Sequence, residues 1–496
     1  MNRVGIIDIG SNSIRLIIIE IQKSTNFKLI YGLKEAIRLG EDMGKDNTLN
    51  TIRMSRAIEA ISSFKTICIS LNVDKIIAVA TEAVRRASNR ENFLNLVMTH
   101  TGISIRVLSG DEEAHYDYMG VINSMNIANC LMMDIGGSST EIILVKDFEA
   151  VHSISIPYGS LSLTDEYNAN PNQFKNFVIS ILDNIPWIKP TNELPIIGIG
   201  GTFRNIGKVD RKRKEYPIDN TYNYQLLNTD FENIISTTFD KSIGKIKKIK
   251  GLSNDRSDIF IGPIFAISSI ISYCNTKNVY ISGSGVREGL IFEHILGQGK
   301  RVADVLDYSL QNMMLIFDID EKNAYKVYEL TSSLFSQLKH LCCQKGNPEN
   351  IIKTAALLHD TGIKINYYDH HKHTFYCILN SRINGLTHKE LLMAAYVAAL
   401  HRKDEFKIDL LNYKDIINQS DALFIQQMGI MLKICEKFDI KMNGNVQNVK
   451  CSFHGNSVII SLKSRNNTDM EIAGAMTCKN TFKRLFNKKL IIETAK

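Results

Sequence analysis

The chain of 496 residues is too long for one ordinary core, and with 44% hydrophobic residues it is too apolar for a disordered protein. Its net charge of +7 is only a mild bias towards polyanions and does not indicate sequence-specific binding of nucleic acid. Nine scattered cysteines, an odd number without a C-x-x-C pair, suit reduced thiols and show no disulfide framework. Asp8 interrupts the first apolar run, and no apolar stretch is long enough to span a membrane. We therefore expect a cytoplasmic protein.

Two segments share one plan, in which an apolar run, Asp-Ile-Gly, a small hydroxylated turn and a second apolar run follow each other. They are residues 4–21 (VGIIDIGSNSIRLIIIEI) and 131–145 (LMMDIGGSSTEIILV). β-Branched runs separated by Gly, Ser and Asn predict a strand, a tight loop and a returning strand. Between the two hairpins, the pattern predicts helices at about 51–71 and 91–99 and a strand at 75–80.

Two later segments, 195–205 (PIIGIGGTFRN) and 279–290 (VYISGSGVREGL), predict a strand, a glycine turn and a helix. The repeated plan predicts a duplicated α/β domain with phosphate in the cleft between its halves. After about residue 302, apolar residues recur at helical spacing, and the last segment contains a strand-like run at 457–462. The predicted domains are 1–124 and 125–302 for the two halves, 303–445 for a helical domain, and 446–496 for a small α/β or α+β piece.

The turns of both hairpins are suited to binding phosphate. Their small residues let the chain curl and direct amides and hydroxyls at an anion, although each turn taken alone is also compatible with a plain hairpin. The occurrence of two matching turns favours phosphate binding over two plain hairpins. The candidate phosphate-binding residues are Asp8, Gly10, Ser11, Asn12, Ser13, Gly136, Gly137, Ser138, Ser139 and Thr140.

Asp8 and Asp134 end apolar strands, where an unpaired carboxylate would be costly. They could cap the turns that follow them. They could instead hold Mg²⁺ directly or through water, because this ion prefers a few carboxylates and keeps several waters. Glu141 leaves the second turn on the returning strand and can point the same way as Asp134. We expect Asp134 and Glu141 to be the metal ligands.

A general base is predicted from residues 109–114 (SGDEEA). Ser109 and Glu112 match a capping box at the start of a helix, which would occupy Glu112. Glu113 is free of the cap and could activate water, although an acid in a first helical turn is often only a partner of the helix dipole. Arg85 could fork onto phosphate oxygens, or it could form a surface ion pair.

Six motifs occur in order along the chain: DIGSNSIRL at 8–16, TEAVR at 81–85, SGDEEA at 109–114, DIGGSSTE at 134–141, GIGGT at 198–202 and SGSGVREG at 282–289. Together they resemble the exopolyphosphatase / guanosine pentaphosphate phosphohydrolase family, in its long form. The resemblance implies a duplicated actin-like ATPase (ribonuclease H-like) fold, Mg²⁺, stimulation by K⁺ and a homodimer.

The resemblance also implies roles for individual residues. Glu113 matches the family's catalytic glutamate, and Arg85 matches a phosphate-contacting arginine. Asp134 and Glu141 match the acidic residues around Mg²⁺. Ser138 departs from the family pattern, which has glycine there, and this would matter if the position needs a positive φ or a close approach of phosphate. The alternative is that the added hydroxyl contacts phosphate, and we expect activity to be retained.

The helical domain resembles HD-type phosphohydrolase domains through His359 and Asp360, with Asp439 as a candidate last ligand. The helix predicted at 323–334 lacks the histidine that a metal site of this type needs. The favoured interpretation is a structural domain that guides a polyanion, with a metal-bound second centre as the alternative. The residues of the predicted polyanion path are His371, Lys372, His373, His401 and Arg402.

The sequence thus predicts an exopolyphosphatase that hydrolyses terminal phosphoryl groups of inorganic polyphosphate with Mg²⁺. Hydrolysis of guanosine pentaphosphate is the alternative. A kinase or chaperone-type ATPase on the same fold and a catalytically silent polyphosphate or alarmone sensor are further hypotheses. The intact set of candidate site residues disfavours the sensor, because a decayed site would have lost some of them.

Overall fold

The computed structural model describes residues 2–23, 25–41, 43, 46–189, 193–238, 243–343, 347–402 and 406–495. The chain divides into two compact units. The N-terminal unit comprises Met1–Tyr216 and Thr221–Val305, and the C-terminal unit comprises Pro217–Asn220 and Leu306–Lys496. The division after residue 305 lies close to the predicted start of the helical domain at 303.

The first sheet of the N-terminal unit has the strand order β3-β2-β1-β4-β5. Its strands are β1 (Asn2–Ile9), β2 (Ile14–Ile21), β3 (Phe27–Glu35), β4 (Lys75–Ala80) and β5 (Ile105–Val107). The first three are antiparallel neighbours, and β4 and β5 continue the sheet in parallel from β1. The helices of this half are α1 (Thr51–Ser70), α2 (Glu82–Arg86), α3 (Arg90–Thr101) and α4 (Gly110–Ile122).

The second sheet repeats this arrangement in the order β8-β7-β6-β9-β11, with β10 added at the edge. Its strands are β6 (Cys130–Ile135), β7 (Thr140–Lys146), β8 (Glu149–Ile156), β9 (Ile196–Ile199), β10 (Gln225–Leu227) and β11 (Asn278–Ile281). Again three antiparallel strands are followed by two parallel ones. The accompanying helices are α5 (Ser160–Ala169), α6 (Phe174–Asp183), α7 (Gly200–Arg213), α8 (Asn228–Thr238), α9 (Ile243–Ile246), α10 (Ile261–Tyr273) and α11 (Val286–Leu296).

Both predicted hairpins are confirmed, and so is the duplicated α/β plan. The apolar runs of β1 and β6 are buried almost throughout, because each strand lies inside its sheet with helices packed on it. An interior strand of this kind is mostly apolar, and in both strands an aspartate stands one residue before the strand ends at the turn. The carboxylates of Asp8 and Asp134 are therefore held at equivalent edges of the two sheets.

The C-terminal unit is helical and ends in a small α+β piece. Its helices are α12 (Val305–Ile316), α13 (Glu321–Leu338), α14 (Pro348–Leu358), α15 (His370–Asn380), α16 (His388–Leu400), α17 (Gln419–Phe438), α18 (Asp469–Met476) and α19 (Lys479–Phe486). The strands β12 (Val446–His454), β13 (Ser457–Ser464) and β14 (Lys489–Thr494) form one sheet in this order. Helix α16 is apolar on all sides and almost wholly buried, so it forms the centre of the helical part.

Candidate active site

The two hairpin turns have the same internal geometry. In the first, the Gly10 N–H donates to the Ser13 carbonyl at 3.1 Å. In the second, the Gly136 N–H donates to the Ser139 carbonyl at 2.9 Å. The short stretch between each pair is therefore curled in the same way, as expected for a repeated phosphate-binding turn.

These turns lie against each other at one edge of a cleft. A Cβ atom placed on Gly137 would lie only 2.7 Å from the Cβ of Ser11, so this close approach requires glycine. The cleft has a volume of about 120 Å³. Among the described residues, those that line it are Asp8, Gly10, Ser11, Asn12, Ser13, Arg15, Thr81, Glu82, Glu113, Asp134, Ile135, Gly136, Gly137, Ser139, Ile199, Gly200, Gly201, Arg204, Arg256, Gly285, Val286, Arg287 and Glu288.

Carboxyl groups of Asp8, Glu113 and Asp134 line the cleft, whereas Glu141 is buried beside Asp134 and is not among the described residues that line it. Asp134 and Glu141 lie opposite each other in the β6–β7 register. Burial raises the pKa of Asp134 to about 6, against the opposing charges of Arg204 and Arg256. Burial and the neighbouring charge of Asp134 raise the pKa of Glu141 to about 7. The pKa of Asp8 is also raised by burial. These carboxyl groups lack enough nearby positive charge to ionise at their ordinary pKa values.

The carboxyl pair at the end of β6 and β7 fits a divalent cation that prefers oxygen ligands. Ser155 donates a hydrogen bond to Glu141 Oε1 at 2.8 Å and so orients that carboxyl group. Gly200 has a φ of +78°, and a Cβ there would lie 2.1 Å from Asp134 Oδ1, so glycine leaves room for the second carboxyl group. Bound Mg²⁺ would supply the positive charge that these carboxyl groups lack.

Glu113 lines the same cleft from helix α4 and is only 8% exposed. The predicted capping box is confirmed, because Ser109 N–H donates to Glu112 at 2.8 Å and Ser109 Oγ accepts from the Glu112 N–H at 3.1 Å. Glu112 is therefore occupied by the cap, as predicted. Burial and the charge of Glu141 raise the pKa of Glu113 well above its ordinary value.

Arg85 contacts Glu113 and two other groups. Its Nη1 lies 3.0 Å from Glu113 Oε2 and donates to the Leu108 carbonyl at 2.7 Å. Its Nε donates to Glu82 at 2.8 Å. Arg85 is not among the described residues that line the cleft. Its predicted fork onto phosphate stays a prediction, whereas the contacts in the structure hold the candidate base in place.

Asp117 is a further acidic residue that the sequence reasoning missed. It lies one helical turn after Glu113 on α4 and is fully buried. Within the described parts of the chain, neither of its carboxyl oxygens has a hydrogen-bond partner. Burial and the charges of Asp134 and Glu141 raise its pKa well above its ordinary value. The spacing of four residues from Glu113 is a signal that could have found it, since such residues share one helix face.

The opposite charge comes from arginines that the sequence reasoning also missed: Arg15, Arg204, Arg256 and Arg287 all line the cleft. Burial lowers the pKa of Arg15 to about 10 and lowers those of Arg204 and Arg256 as well. Arg15 lies opposite Asp8 in the β1–β2 register. The equivalent position of the second hairpin, opposite Asp134, is Glu141. Clustered, partly desolvated guanidinium groups favour a bound polyanion, which relieves their mutual repulsion.

The remaining turn residues differ in what they offer a ligand. Asn12 Nδ2 is buried and has no hydrogen-bond partner among the described residues, so it is a donor suited to an anion. Thr140 Oγ1 donates to the Tyr158 carbonyl at 2.6 Å and is thereby occupied. Ser138 is not among the described non-glycine residues that have a positive φ, so a serine is not strained at this position.

The predicted polyanion path of the C-terminal unit is wrong for two of its residues. His371 and His401 are each only 1% exposed, because both lie in the helical interior. They cannot present a surface to a long anion in this conformation. Lys372 and Arg402 are exposed, and His373 is half-buried.

Asp439, the candidate last metal ligand, lies at the C-terminal end of α17. Its Oδ1 accepts the Gly444 N–H at 2.8 Å, so the carboxyl group caps a turn. The group of potential metal ligands in the described residues is Asp360, His370 and His401, and it does not include Asp439. The predicted role of Asp439 is therefore replaced by a structural one.

A cleft with these turns, carboxyl groups and arginines is suited to binding phosphoryl groups. Comparison with known families identifies the class of protein as a phosphatase. Residues 17–298 match the Ppx/GppA phosphatase family, and residues 305–474 match domain III of that family. The chain belongs to the Ppx/GppA phosphatase family. The predicted family membership is confirmed over nearly the whole chain.

Among curated proteins, the chain is 28% identical over 449 residues to a guanosine-5'-triphosphate,3'-diphosphate pyrophosphatase from Pseudoalteromonas atlantica, covering 86% of this chain and 82% of the relative. A protein with the same description from Pseudoalteromonas translucida is 26% identical, with 81% of each chain covered. A bifunctional 3-dehydroquinate synthase/phosphatase from Fusobacterium nucleatum is 30% identical over 308 residues, which cover 58% of this chain and 46% of the relative.

Among solved structures, a Ppx/GppA family member from Aquifex aeolicus matches with a TM-score of 0.53 and 25% identity, covering 60% of this chain and 99% of that one. An exopolyphosphatase from Cytophaga hutchinsonii matches with a TM-score of 0.56 and 23% identity, covering 60% and 98%. The expected duplicated actin-like fold is confirmed. Within the described residues, no helix is both long and apolar enough to cross a membrane.

Proposed function

We propose that this phosphatase is an Mg²⁺-dependent exopolyphosphatase, which hydrolyses the terminal phosphoryl group of inorganic polyphosphate with Glu113 as general base. The observation that carries the proposal is the position of Glu113, which borders the same cleft as both hairpin turns and as four half-buried arginines. A water molecule between Glu113 and the turns would be placed to attack a terminal phosphorus held by the turns.

In this proposal, the acidic residues and Arg85 have different roles in the reaction. Glu113 accepts a proton from water as the new O–P bond forms and the bridging P–O bond breaks, and the shortened polyphosphate leaves with the bridging oxygen. Arg85 holds the Glu113 carboxylate and favours its ionised form. Asp134 and Glu141 would hold Mg²⁺, which supplies positive charge to the phosphoryl oxygens when it is bound.

The arginine side of the cleft supports polyphosphate as substrate. Arg15, Arg204, Arg256 and Arg287 give several cationic groups along one cleft, which suits a ligand that repeats its charge along its length. Among the described residues that line the cleft, none is aromatic, so a stacking surface for a base is missing from that part of the wall. A substrate made only of phosphates needs no such surface.

Hydrolysis of guanosine pentaphosphate is the second candidate. Two relatives that are matched over more than four fifths of this chain are described as guanosine-5'-triphosphate,3'-diphosphate pyrophosphatases. The same turns and the same base could act on the terminal phosphoryl group of that nucleotide, with its guanosine lying outside the cleft.

The test is a comparison of kcat/KM for phosphate release from long-chain polyphosphate and from guanosine pentaphosphate, with Mg²⁺ present. The proposal expects the larger value for polyphosphate, and Glu113→Gln should abolish most of either activity. A larger value for the nucleotide selects the second candidate. Release of phosphate from neither substrate would overturn both.

A further inference from the structure

Three histidines and an aspartate of the C-terminal unit converge in its interior. His359 caps the end of α14 and is followed by Asp360, His370 begins α15, and His401 caps the end of α16. One possible ligand atom each of Asp360, His370 and His401 lies within 4.8 Å of the other two. The four residues come from three separate helix ends, so their convergence depends on the packing of the whole helical part.

The short distances lie between the atoms that bind metals. His370 Nε2 lies 3.0 Å from His401 Nε2. Asp360 Oδ1 lies 3.5 Å from the first of these atoms and 3.8 Å from the second. His359 Nε2 lies 3.5 Å from Asp360 Oδ2. Two imidazole nitrogens and one carboxylate oxygen therefore surround one point, and the third imidazole nitrogen, that of His359, contacts the other oxygen of the same carboxylate.

The other ring nitrogen of each histidine fixes its tautomer. His359 Nδ1 lies 2.8 Å from the Ala356 carbonyl, and His370 Nδ1 lies 2.9 Å from the Tyr367 carbonyl. His401 Nδ1 has the same type of partner three residues earlier in the chain. A carbonyl oxygen only accepts hydrogen bonds, so each Nδ1 carries the proton and each neutral ring presents the lone pair of its Nε2.

Two lone pairs therefore face each other where His370 and His401 meet, and this is unfavourable unless a cation lies between them. A proton there would create an imidazolium ion in a place where both side chains are nearly fully buried, which is costly. A metal ion uses both lone pairs and the Asp360 carboxylate. A histidine that donates Nδ1–H to a carbonyl while Nε2 binds the ion is the usual arrangement around protein-bound metals.

A cavity gives access to the cluster from one side. It has a volume of about 160 Å³ and is bordered by His359 and Asp360. The other charged groups of its wall have partners within that wall, because Lys364 pairs with Asp318 at 2.7 Å and Asp320 accepts the Asn323 N–H at 3.1 Å. The Asp360 side chain is 31% exposed, whereas the histidines are at most 3% exposed. An ion can reach the cluster through this cavity, and a coordination position can stay open there.

We propose that the C-terminal unit binds one divalent transition-metal ion through His370 Nε2, His401 Nε2 and the Asp360 carboxylate, with His359 beside the second oxygen of that carboxylate. A ligand set dominated by imidazole suits Zn²⁺ and related ions, whereas Mg²⁺ prefers oxygen ligands. This site is separate from the carboxyl groups at the cleft of the N-terminal unit, and it does not depend on the proposed polyphosphatase activity.

The test is a Zn²⁺ titration of the chelator-treated full-length chain in excess Mg²⁺, which occupies carboxylate sites. Bound zinc is measured by elemental analysis after desalting, and the melting temperature is measured in parallel. The wild type should retain one ion per chain and melt at a higher temperature with Zn²⁺, because the ion binds only the folded state. The double variant His370→Asn/His401→Asn should bind about 100-fold more weakly or worse, since even losing a supporting group costs about 10–100-fold.

Two controls make the result specific. His373→Asn alters a half-buried histidine of the same helix outside the cluster and should bind zinc as the wild type does. Asp134→Asn/Glu141→Gln removes the carboxyl pair of the cleft and should also bind normally. Asp360→Asn is close in volume and should weaken binding without unfolding the chain, which circular dichroism checks. A wild type that retains no zinc, or zinc lost from the cleft variant but kept by the histidine double variant, would overturn the proposal.

Discussion

Arg85 Nη1 lies 3.0 Å from Glu113 Oε2, and the same nitrogen donates to the carbonyl of Leu108 just before helix α4. The guanidinium group thereby ties the candidate base to the backbone that precedes its own helix. It also places positive charge beside a carboxyl group whose pKa burial raises well above its ordinary value. This contact links the positioning of the base to its ionisation, and it can be tested by changing either partner.

Glu113→Gln should lower kcat by about 10²–10⁴-fold, because a positioned base contributes that much to a rate. Initial rates of phosphate release with saturating polyphosphate measure the effect. The matched control is Glu112→Gln at the neighbouring position, where glutamine can still complete the capping box with Ser109. A rate unchanged in Glu113→Gln would remove Glu113 from the mechanism.

Arg85→Lys should lower kcat by about 10–100-fold with a smaller change in KM, because lysine cannot reach Glu113, Glu82 and the Leu108 carbonyl together. Steady-state kinetics separate the two parameters. Arg86→Lys is the control, since Arg86 is exposed and contacts Asn47. If KM rises while kcat is unchanged, Arg85 binds substrate and does not position the base.

Arg256→Gln should raise the KM for polyphosphate by about tenfold or more, because a hydrogen bond to a charged group contributes about 1.5–3 kcal/mol. The dependence of KM on salt should also become weaker, since fewer ionic contacts remain. Arg90→Gln, which removes an exposed arginine paired with Glu91, should change neither quantity. An unaltered salt dependence in Arg256→Gln would exclude this arginine from substrate binding.

Gly137→Ala should separate the two turns, since its new Cβ would lie 2.7 Å from the Cβ of Ser11. We expect kcat to fall by about tenfold or more, because small displacements of a positioned phosphoryl group are costly. In Gly244→Ala, a Cβ meets no atom within 4 Å, so this variant should retain wild-type kinetics. Wild-type kinetics in Gly137→Ala would show that the turns need not touch.

The pH dependence of stability should report the carboxyl pair. The pKa of Glu141 rises from 4.5 in the unfolded chain to about 7 in the fold, so the folded state holds its proton more tightly. Stabilisation from this proton is present below about pH 4.5 and is lost as the pH rises towards 7. At about 1.4 kcal/mol per pKa unit, the loss is about 3 kcal/mol.

Urea unfolding of the Mg²⁺-free chain between pH 4.5 and 8 measures this effect as the difference from Glu141→Gln, which has no titrating group there. The free energy of unfolding of the wild type should fall relative to the variant as the pH rises. Saturating Mg²⁺ should reduce the fall, because the ion favours the ionised carboxylate. Parallel curves for the two proteins would contradict the raised pKa.

Local sequence was enough to predict the elements that depend on near neighbours. The alternation of apolar runs and small turns predicted both hairpins, because a buried strand must be apolar and a tight turn must be small. The capping box of Ser109 and Glu112 was readable for the same reason, since both partners lie within one helical turn. Glu113 could be separated from Glu112 on this basis.

Local sequence could not predict which charged side chains meet in the folded cleft. Arg204, Arg256 and Arg287 lie far apart in the chain and meet only in the folded cleft. Asp117 looks like an ordinary helical acid until the fold buries it near four other carboxyl groups. His371 and His401 looked like surface cations, whereas packing of the helices buries both.

By itself, the sequence determined the strands, turns and helix caps, the duplication and the family, because each of these follows from residues close together or from whole motifs in order. Only the tertiary structure decided which charges share the cleft and which histidines face each other. Those relationships depend on how sheets and helices pack, and burial then changes what each group can do, since a charge removed from water needs a partner that local sequence does not name.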